Sequence, residues 1–212
     1  RLVLMPIDSA TVGFHAGWKS DEYDGSELGL RSRDSLHWGV DASWSPFETL
    51  TTYAWYAQER YESKVRGRQF SNAAQAIDAT RNWQQQDFDD IDTVGVGAEW
   101  SGFEERLRLR ADYAFSWAKE RVDVNAGPSL ASTLPFPDDR TFLHDMSFTA
   151  EYRILESLTG RFGYLFQWLD ANEWAYDGVG PATQNEVLGL GEKPPDYSSH
   201  LFAFSLIYEF DF

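Results

Sequence analysis

The last stretch of the chain, "SSHLFAFSLIYEFDF" at residues 198–212, decides the fold class. Its large apolar side chains recur at every second residue, which is the pattern of an extended strand with one apolar face. That face carries Phe202, Phe204, Leu206, Tyr208, Phe210 and Phe212. A chain end is ordinarily polar and frayed. Six large apolar groups at this end therefore need an apolar partner, which is either a protein core or lipid.

The same period of two residues recurs along the chain and predicts eight strands. The clearest case is "RLRLRADYAFSW" at 106–117, where leucines and aromatic residues alternate with Arg108, Arg110 and Asp112. No helix would separate these residues into two faces. In "TTYAWYAQ" the aromatic residues occupy both sides, so the facing of that strand stays open. The predicted strands lie near 11–19, 35–44, 49–60, 92–100, 105–118, 141–153, 158–169 and 199–212.

The connections between these strands alternate strictly between short and long. Short ones fall at 45–48, 101–104 and 154–157, and long ones at roughly 20–34, 61–91, 119–140 and 170–197. Outer-membrane barrels have short periplasmic turns and long extracellular loops. The sequence therefore predicts an all-β, antiparallel transmembrane β-barrel in the bacterial outer membrane, with about eight strands in one segment over 1–212. Both ends of the segment are expected on the short-turn side.

Composition restricts the partners. The chain has 18 basic and 34 acidic residues, a formal net charge of −16, which excludes nucleic acid as a partner. It has no cysteine, so it offers no disulfide, no thiolate metal site and no attachment point for a c-type haem. No run of 18 apolar residues occurs, which excludes a transmembrane helix but not transmembrane strands.

Polarity predicts which face of each strand meets lipid. Charge on the lipid face costs about 2–4 kcal/mol for Arg or Lys near the midplane, so the charged residues are predicted to face the lumen. These are Arg106, Arg108, Arg110, Asp112, Asp145, Glu151 and Arg161. The opposite, apolar set then meets lipid, with Trp residues near strand ends where aromatic girdles belong. A soluble sandwich or lipocalin-like barrel is the alternative and would reverse this arrangement.

Three stretches resemble one known family. They are "LMPIDSA" at 4–10, "EWAYDGVGP" at 173–181 and "LGLGEKPPDYSSHLFAFSLIYEF" at 188–210. The last is the most specific, because Gly191, Glu192, Pro195, Asp196 and Tyr197 lead directly into the final strand. Together with the terminal Phe, these stretches resemble the C-terminal portion of the MtrB/PioB family, the outer-membrane barrels associated with decahaem cytochromes.

The resemblance implies an electron conduit. Family members sheathe a multihaem c-type cytochrome inside a wide barrel, so the haem is carried by the partner and the chain itself holds no cofactor. The long loops are a candidate docking place for an extracellular cytochrome. Family barrels have many more strands than this chain supplies, and a closed barrel of about eight strands is filled by its own side chains. The chain is thus expected to be part of a larger barrel, since it opens at Arg1 with no leader; a separate small barrel is the alternative.

The charged residues predicted to face the lumen have two interpretations. Arg106, Arg108 and Arg110 could bind haem propionates or an acidic cytochrome surface, because Arg presents a bidentate fork to a carboxylate. The alternative is an internal salt-bridge network along the barrel wall. The final strand supplies a second expected feature, a C-terminal barrel signal formed by Leu206, Tyr208, Phe210 and Phe212.

The stretch "DFDDID" places Asp87, Asp89, Asp90 and Asp92 close together. Carboxylate oxygens of this kind are calcium ligands, but the stretch lacks the Gly and the terminal Glu of a hand-type loop. A solvated acidic loop is the competing interpretation, and the identity of any metal is open.

Two functions besides the cytochrome sheath stay open. One is a porin-like or small barrel that binds or passes solutes without haem. The other is an outer-membrane barrel enzyme, for which the chain has suitable residue types but no spacing that selects them. Since no nucleophile–base pair and no Gly-rich phosphate loop occurs, the sequence predicts that the protein is not an enzyme.

Overall fold

The computed structural model describes residues 1–130, 136–172 and 196–210. They form one antiparallel sheet in which nine strands follow one another in chain order. The strands are β1 (Leu2–Ile7), β2 (Ala10–Glu22), β3 (Gly29–Phe47), β4 (Leu50–Arg68), β5 (Asn82–Gly102), β6 (Leu107–Ala126), β7 (Asp139–Leu155), β8 (Leu158–Asn172) and β9 (Tyr197–Tyr208). A one-turn helix, α1 (Ala73–Ala76), and a 3₁₀ turn (Ala79–Arg81) lie between β4 and β5.

The first strand, β1, was not predicted from the sequence. Its residues "LVLMPI" are apolar at nearly every position, so they show no period of two, and Pro6 argues against a central strand. Within the described residues β1 pairs only with β2, and its register is irregular between Leu4 and Ile7. An edge strand tolerates proline in this way. Because Leu2 pairs with Phe14, Arg1 lies part-way along the sheet, which corrects the expectation that it lies on the short-turn side.

Several strands are longer than predicted. The predicted long connection 61–91 is mostly strand, since β4 runs to Arg68 and β5 begins at Asn82, and the two pair throughout, from Leu50↔Trp100 to Arg68↔Asn82. The residues in these extensions are polar on both faces, so no alternation marks them as strands. Water on both faces explains such a composition. The hairpin β4–β5 and its neighbour β6 therefore project beyond the apolar part of the sheet.

The predicted alternation of short and long connections is confirmed. Short turns join the strands at 8–9, 48–49, 103–106 and 156–157, and the longer connections are 23–28, 69–81, 127–138 and 173–196. The turn at 103–106 contains three consecutive non-glycine residues with positive φ, Phe103 (53°), Glu104 (57°) and Glu105 (64°). This left-handed run ends β5 at Gly102 and delays the start of β6 to Leu107. Arg106 thus lies in the turn rather than in the strand where it was predicted.

The final strand is shorter than the predicted 199–212. It ends at Tyr208 because Tyr208 pairs with Leu158, the first residue of β8, and no strand lies opposite the residues that follow. Of the predicted C-terminal signal, Leu206 and Tyr208 lie on β9, and the Phe210 ring packs edge-on against Tyr208 at 4.8 Å. Phe212 and the stretch 173–195, which includes Gly191, Glu192 and Pro195, lie outside the described residues.

The sheet has two chemically distinct faces. We call the side that carries Leu109, Phe148 and Phe204 the apolar face, and the side that carries Arg108 and Asp112 the polar face. No hydrophobic side chain among the described residues is buried, and Phe204 is 80% exposed. A soluble sandwich would bury this face against a second sheet. A single sheet with no core beneath it contradicts that alternative and fits lipid as the partner.

The apolar face has the height of a membrane. On β6 it runs from Leu107 to Trp117, about 33 Å of strand at roughly 3.3 Å per residue. With the usual strand tilt of about 40°, this spans about 25 Å along the bilayer normal, the height of the lipid-facing band of outer-membrane barrels.

Polar atoms on the apolar face are paired with one another. Tyr113 Oη lies 2.7 Å from His144 Nδ1, and Tyr164 Oη lies 2.9 Å from His200 Nδ1. Trp38 Nε1 donates to Gln58 Oε1 at 2.8 Å. Such pairing lowers the cost of placing polar groups against hydrocarbon. Within the described part of the chain, no helix is long and apolar enough to span a membrane.

Candidate functional site

The polar face of β4–β8 carries a network of charged and hydroxyl side chains centred on Asp112. Arg110 Nε and Nη2 donate to the two carboxylate oxygens of Asp112 at 2.9 and 3.3 Å. The Tyr53 hydroxyl donates to the same carboxylate, and Ser147 Oγ donates to it at 3.3 Å. These partners come from β4, β6 and β7, so Asp112 connects side chains from three strands.

Two further ion pairs extend the network toward the short-turn end. Arg108 Nε lies 3.5 Å from Glu99 Oε1, and Arg161 Nη2 lies 2.5 Å from Glu151 Oε1. Arg108 and Arg161 are both in register with Glu151, from the strands on either side of β7. Together with Arg110 and Thr149, these residues line a recess of about 290 Å³. We call this recess and its lining the arginine recess.

The remaining predicted luminal residue, Asp145, lies in a separate group. Its Oδ2 accepts a hydrogen bond from Gln167 Nε2 at 3.1 Å, and Gln167 Oε1 accepts one from the Tyr197 hydroxyl. Six of the seven predicted luminal residues thus lie on the polar face, five of them in or beside the arginine recess. Arg106 is the exception, because it lies in the turn before β6.

The arginines of the recess keep much of their surface in water. The side chains of Arg108, Arg110 and Arg161 are 63%, 54% and 48% exposed. Ion pairs between side chains so exposed contribute only about 0–1 kcal/mol each. Each guanidinium group can therefore leave its carboxylate partner in the barrel wall and bind a carboxylate of another molecule at a small cost in free energy. In the absence of such a molecule, the ion pairs with Glu99, Asp112 and Glu151 hold the three arginines in position.

Glycines on the polar face position the aromatic side chains that sequence reasoning missed. Tyr53 and Trp55 of β4 lie over Gly97 and Gly95 of β5, and a Cβ at either glycine would come within 2.5 Å of the ring above it. The absence of side chains there lets Tyr53 reach across β5 to Asp112 on β6. A signal for this was present in the sequence, since two aromatic residues spaced by two match two glycines spaced by two. No comparable pattern in the sequence pointed to the other missed residues, which are Glu99, Ser147 and Gln167.

The four aspartates of 87–92 are not in a loop as predicted but on β5. Alternation along the strand places Asp87 and Asp89 on the polar face and Asp90 and Asp92 on the other. Asp90 pairs with Arg60 at 2.6 Å, and Asp87 accepts a hydrogen bond from Ser63 at 3.1 Å. The structure does not bring the four together, and no group of three or more metal-ligating side chains occurs among the described residues.

The sequence profile of one family, "Putative outer membrane beta-barrel porin, MtrB/PioB", matches residues 1–210. The chain belongs to the MtrB/PioB family. The outer membrane protein MtrB of Shewanella baltica (strain OS185) is 26% identical to it over 210 residues, which is 99% of this chain and 28% of that protein. The resemblance found in the three sequence stretches is thereby confirmed.

A solved structure shows the same fold at low sequence identity. The copper transporter OprC superposes with a TM-score of 0.63 at 10% identity, and the match covers 96% of this chain and 31% of OprC. The antiparallel transmembrane barrel fold and the outer-membrane location are confirmed. The family is one of porin-like barrels rather than of enzymes. The chain spans less than a third of the length of either relative.

Proposed function

We propose that this chain forms part of the wall of an outer-membrane barrel that houses a multihaem c-type cytochrome and positions it for electron transfer across the membrane. The observation that carries the proposal is the arginine recess, a set of half-exposed guanidinium groups on the polar face of a sheet from the MtrB/PioB family. In this arrangement the polar face lines the lumen and the apolar face meets lipid. The haem belongs to the partner, and the chain has no catalytic role.

The arginine recess offers a binding surface for carboxylates. Arg108, Arg110 and Arg161 each present planar N–H donors that match a carboxylate in bidentate geometry. Haem propionates and acidic side chains are the carboxylates that a cytochrome carries on its surface. The recess lies near the short-turn end of the sheet, so a cytochrome entering from the periplasm would meet it at the mouth of the barrel.

The width of the lumen depends on strands outside this chain. A barrel of about eight strands is filled by its own side chains, and the sheet seen here pairs on only one side of β1 and of β9 within the described residues. The MtrB relative is much longer than this chain, which covers 28% of it. We infer that the sheet is an arc of a wider barrel whose remaining strands enlarge the lumen enough for a protein.

The long-loop end offers a surface for an extracellular cytochrome. Here β4, β5 and β6 extend beyond the apolar face and pair throughout, to Arg68↔Asn82 and Trp83↔Ala126. β3 pairs along most of the same extension, to Gly29↔Arg66. A paired extension of this kind holds its strands in a fixed arrangement, as a docking surface requires. An electron acceptor or donor bound here would lie beside the outer end of a luminal cytochrome.

A second candidate function is passage of solutes without haem. The family description as a porin favours it, as does a polar face with hydroxyl pairs such as Thr93–Ser116 at 2.9 Å. A solute channel would conduct ions in a planar bilayer. A barrel closed by a cytochrome would conduct only after the cytochrome is removed.

Charge reversal in the arginine recess tests the proposal. In the full-length protein, Arg108→Glu combined with Arg161→Glu is expected to reduce the haem protein that co-purifies at about 0.15 M salt by at least about tenfold. Two contacts that the bound cytochrome would shield from water are lost, each worth roughly 1.5–3 kcal/mol, and the new glutamates repel the carboxylates of the partner. The matched control is Lys19→Glu with Arg33→Glu, which makes the same change in net charge on the polar face outside the arginine recess. Equal haem retention in both variants would contradict a role for the recess.

A further inference from the structure

A second cluster of basic side chains lies on the apolar-face side of the sheet, beyond the membrane-spanning residues at the long-loop end. It lines a recess of about 280 Å³ and consists of Arg60, Glu62, Phe88, Asp90, Lys119 and Arg121. We call it the headgroup patch. Its lining contains three cations and two carboxylates, in a chain whose formal net charge is −16. The patch is not on the face proposed to bind the cytochrome.

The height of the patch matches the polar layer of a bilayer. Its first row is formed by Arg60, Asp90 and Lys119, which pair in register. On β6 this row lies two residues beyond Trp117, the last apolar residue of that strand's lipid-facing series. Two residues of tilted strand correspond to about 5 Å along the bilayer normal. The headgroup region extends roughly 5–7 Å beyond the hydrocarbon on each side, so the first row lies within it.

The two arginines of the patch keep their terminal donors available. Arg60 bonds Asp90 through Nε at 2.6 Å, and Arg121 lies 3.4 Å from Asp123 through Nε. Guanidinium carries five N–H donors in a fixed fork, so contacts through Nε leave the two Nη groups for another acceptor. The Arg121 guanidinium also lies 4.3 Å from the centroid of the Phe88 ring. This cation–π contact holds the guanidinium close to the ring.

The carboxylates of the patch do not prevent binding of an anion. Asp90 is paired with Arg60, and Glu62 is 3.0 Å from Lys64 Nζ and accepts a hydrogen bond from Gln86 at 2.6 Å. Lys119 Nζ is 2.7 Å from Asp138. The side chains of Arg60, Lys119 and Arg121 are 58%, 51% and 49% exposed, so these pairs are weak. A doubly charged phosphate can compete with them.

We propose that the headgroup patch binds the phosphate groups of lipids in the outer leaflet of the outer membrane. The position of the patch indicates a lipid ligand, because lipid is the molecule next to this face at the height of the headgroups. The long loops lie on the extracellular side of the membrane, so the lipid belongs to the outer leaflet. The chemistry of the patch also indicates a phosphate ligand, since the guanidinium group of arginine binds phosphate in bidentate geometry. Such contacts would fix the depth of the barrel in the membrane.

The test compares two lipids with the full-length protein in detergent, using diphosphoryl lipid A and the same lipid after removal of its phosphates. The wild type is expected to bind the phosphorylated lipid at least tenfold more tightly. Arg60→Gln, Lys119→Gln and Arg121→Gln combined should abolish that preference. The control is Lys19→Gln, Arg33→Gln and Arg153→Gln combined, which removes one lysine and two arginines from the polar face and should retain the preference.

Two results would overturn the proposal. One is a preference for the phosphorylated lipid that survives in the patch variant or disappears equally in the polar-face control. The other is displacement of lipid A by an equal concentration of inorganic phosphate, which would assign the patch to free phosphate. The single variant Arg60→Gln shows whether the loss in the triple variant comes from a folding defect. We expect Arg60→Gln to weaken binding of the phosphorylated lipid several-fold and to leave binding of the dephosphorylated lipid unchanged.

Discussion

Ala111→Arg is expected to block membrane assembly of the full-length protein, whereas Ala114→Arg on the same strand leaves it intact. Ala111 lies on the apolar face, in register with Ala98 and Phe148, near the middle of the lipid-facing series of β6. An arginine there costs about 2–4 kcal/mol, because its charge lies in hydrocarbon. Ala114 lies on the polar face beside Asp145, where an arginine meets water and a carboxylate.

The pair is a matched control, since both variants replace alanine by arginine three residues apart. Assembly is measured by the difference in gel mobility between folded and heat-unfolded barrel, and stability by urea unfolding in bilayers. A loss confined to Ala111→Arg establishes which face meets lipid. Impaired assembly in Ala114→Arg with normal assembly in Ala111→Arg would mean that the facing is reversed.

Gly39→Ala is expected to destabilise the protein by about 1–3 kcal/mol, the usual cost of overpacking. A Cβ at Gly39 would lie 2.8 Å from the backbone oxygen of Tyr56 and 2.6 Å from the His15 ring. The ring can turn away, but the backbone of β4 is held by its pairing with β3 and β5. The strands therefore have to separate locally.

Gly163→Ala is the matched control for this substitution. It lies on the same polar face, but a Cβ there meets only Ala203 Cβ at 3.8 Å, an ordinary contact. Loss of backbone freedom in the unfolded chain should make Gly163→Ala neutral or stabilising by about 0.4–1 kcal/mol. Urea unfolding of both variants measures the contrast. Equal stabilities would show that β2, β3 and β4 are not packed as described.

The sequence predicted well the parts of the fold in which lipid meets one face and water the other. There the alternation is strong, as on β6, where Leu109 and Arg110 define opposite faces. The prediction from sequence failed where water lies on both faces of the sheet, as in the extensions of β4 and β5. There the strands need no alternation of apolar and polar residues. It also failed at β1, where Pro6 opposes a strand unless the strand lies at an edge.

The candidate site could be predicted only in part for a related reason. The alternation of charged residues shows that Arg110 and Asp112 share a face, but it cannot show which residues of other strands reach them. Tyr53 and Asp112 are separated by 59 residues, and their contact depends on the register of β4, β5 and β6. Once that register is known, the glycines opposite Tyr53 and Trp55 explain how the contact forms.

The proposed function makes this chain one wall of a cytochrome sheath. The most direct test is the visible absorption spectrum of the complex solubilised from its native membrane and purified through the full-length protein. We expect the bands of c-type haem, in an amount that corresponds to several haems per barrel, and their loss in the Arg108→Glu, Arg161→Glu variant. A colourless preparation that forms open channels in a planar bilayer would contradict the sheath and support passage of solutes instead.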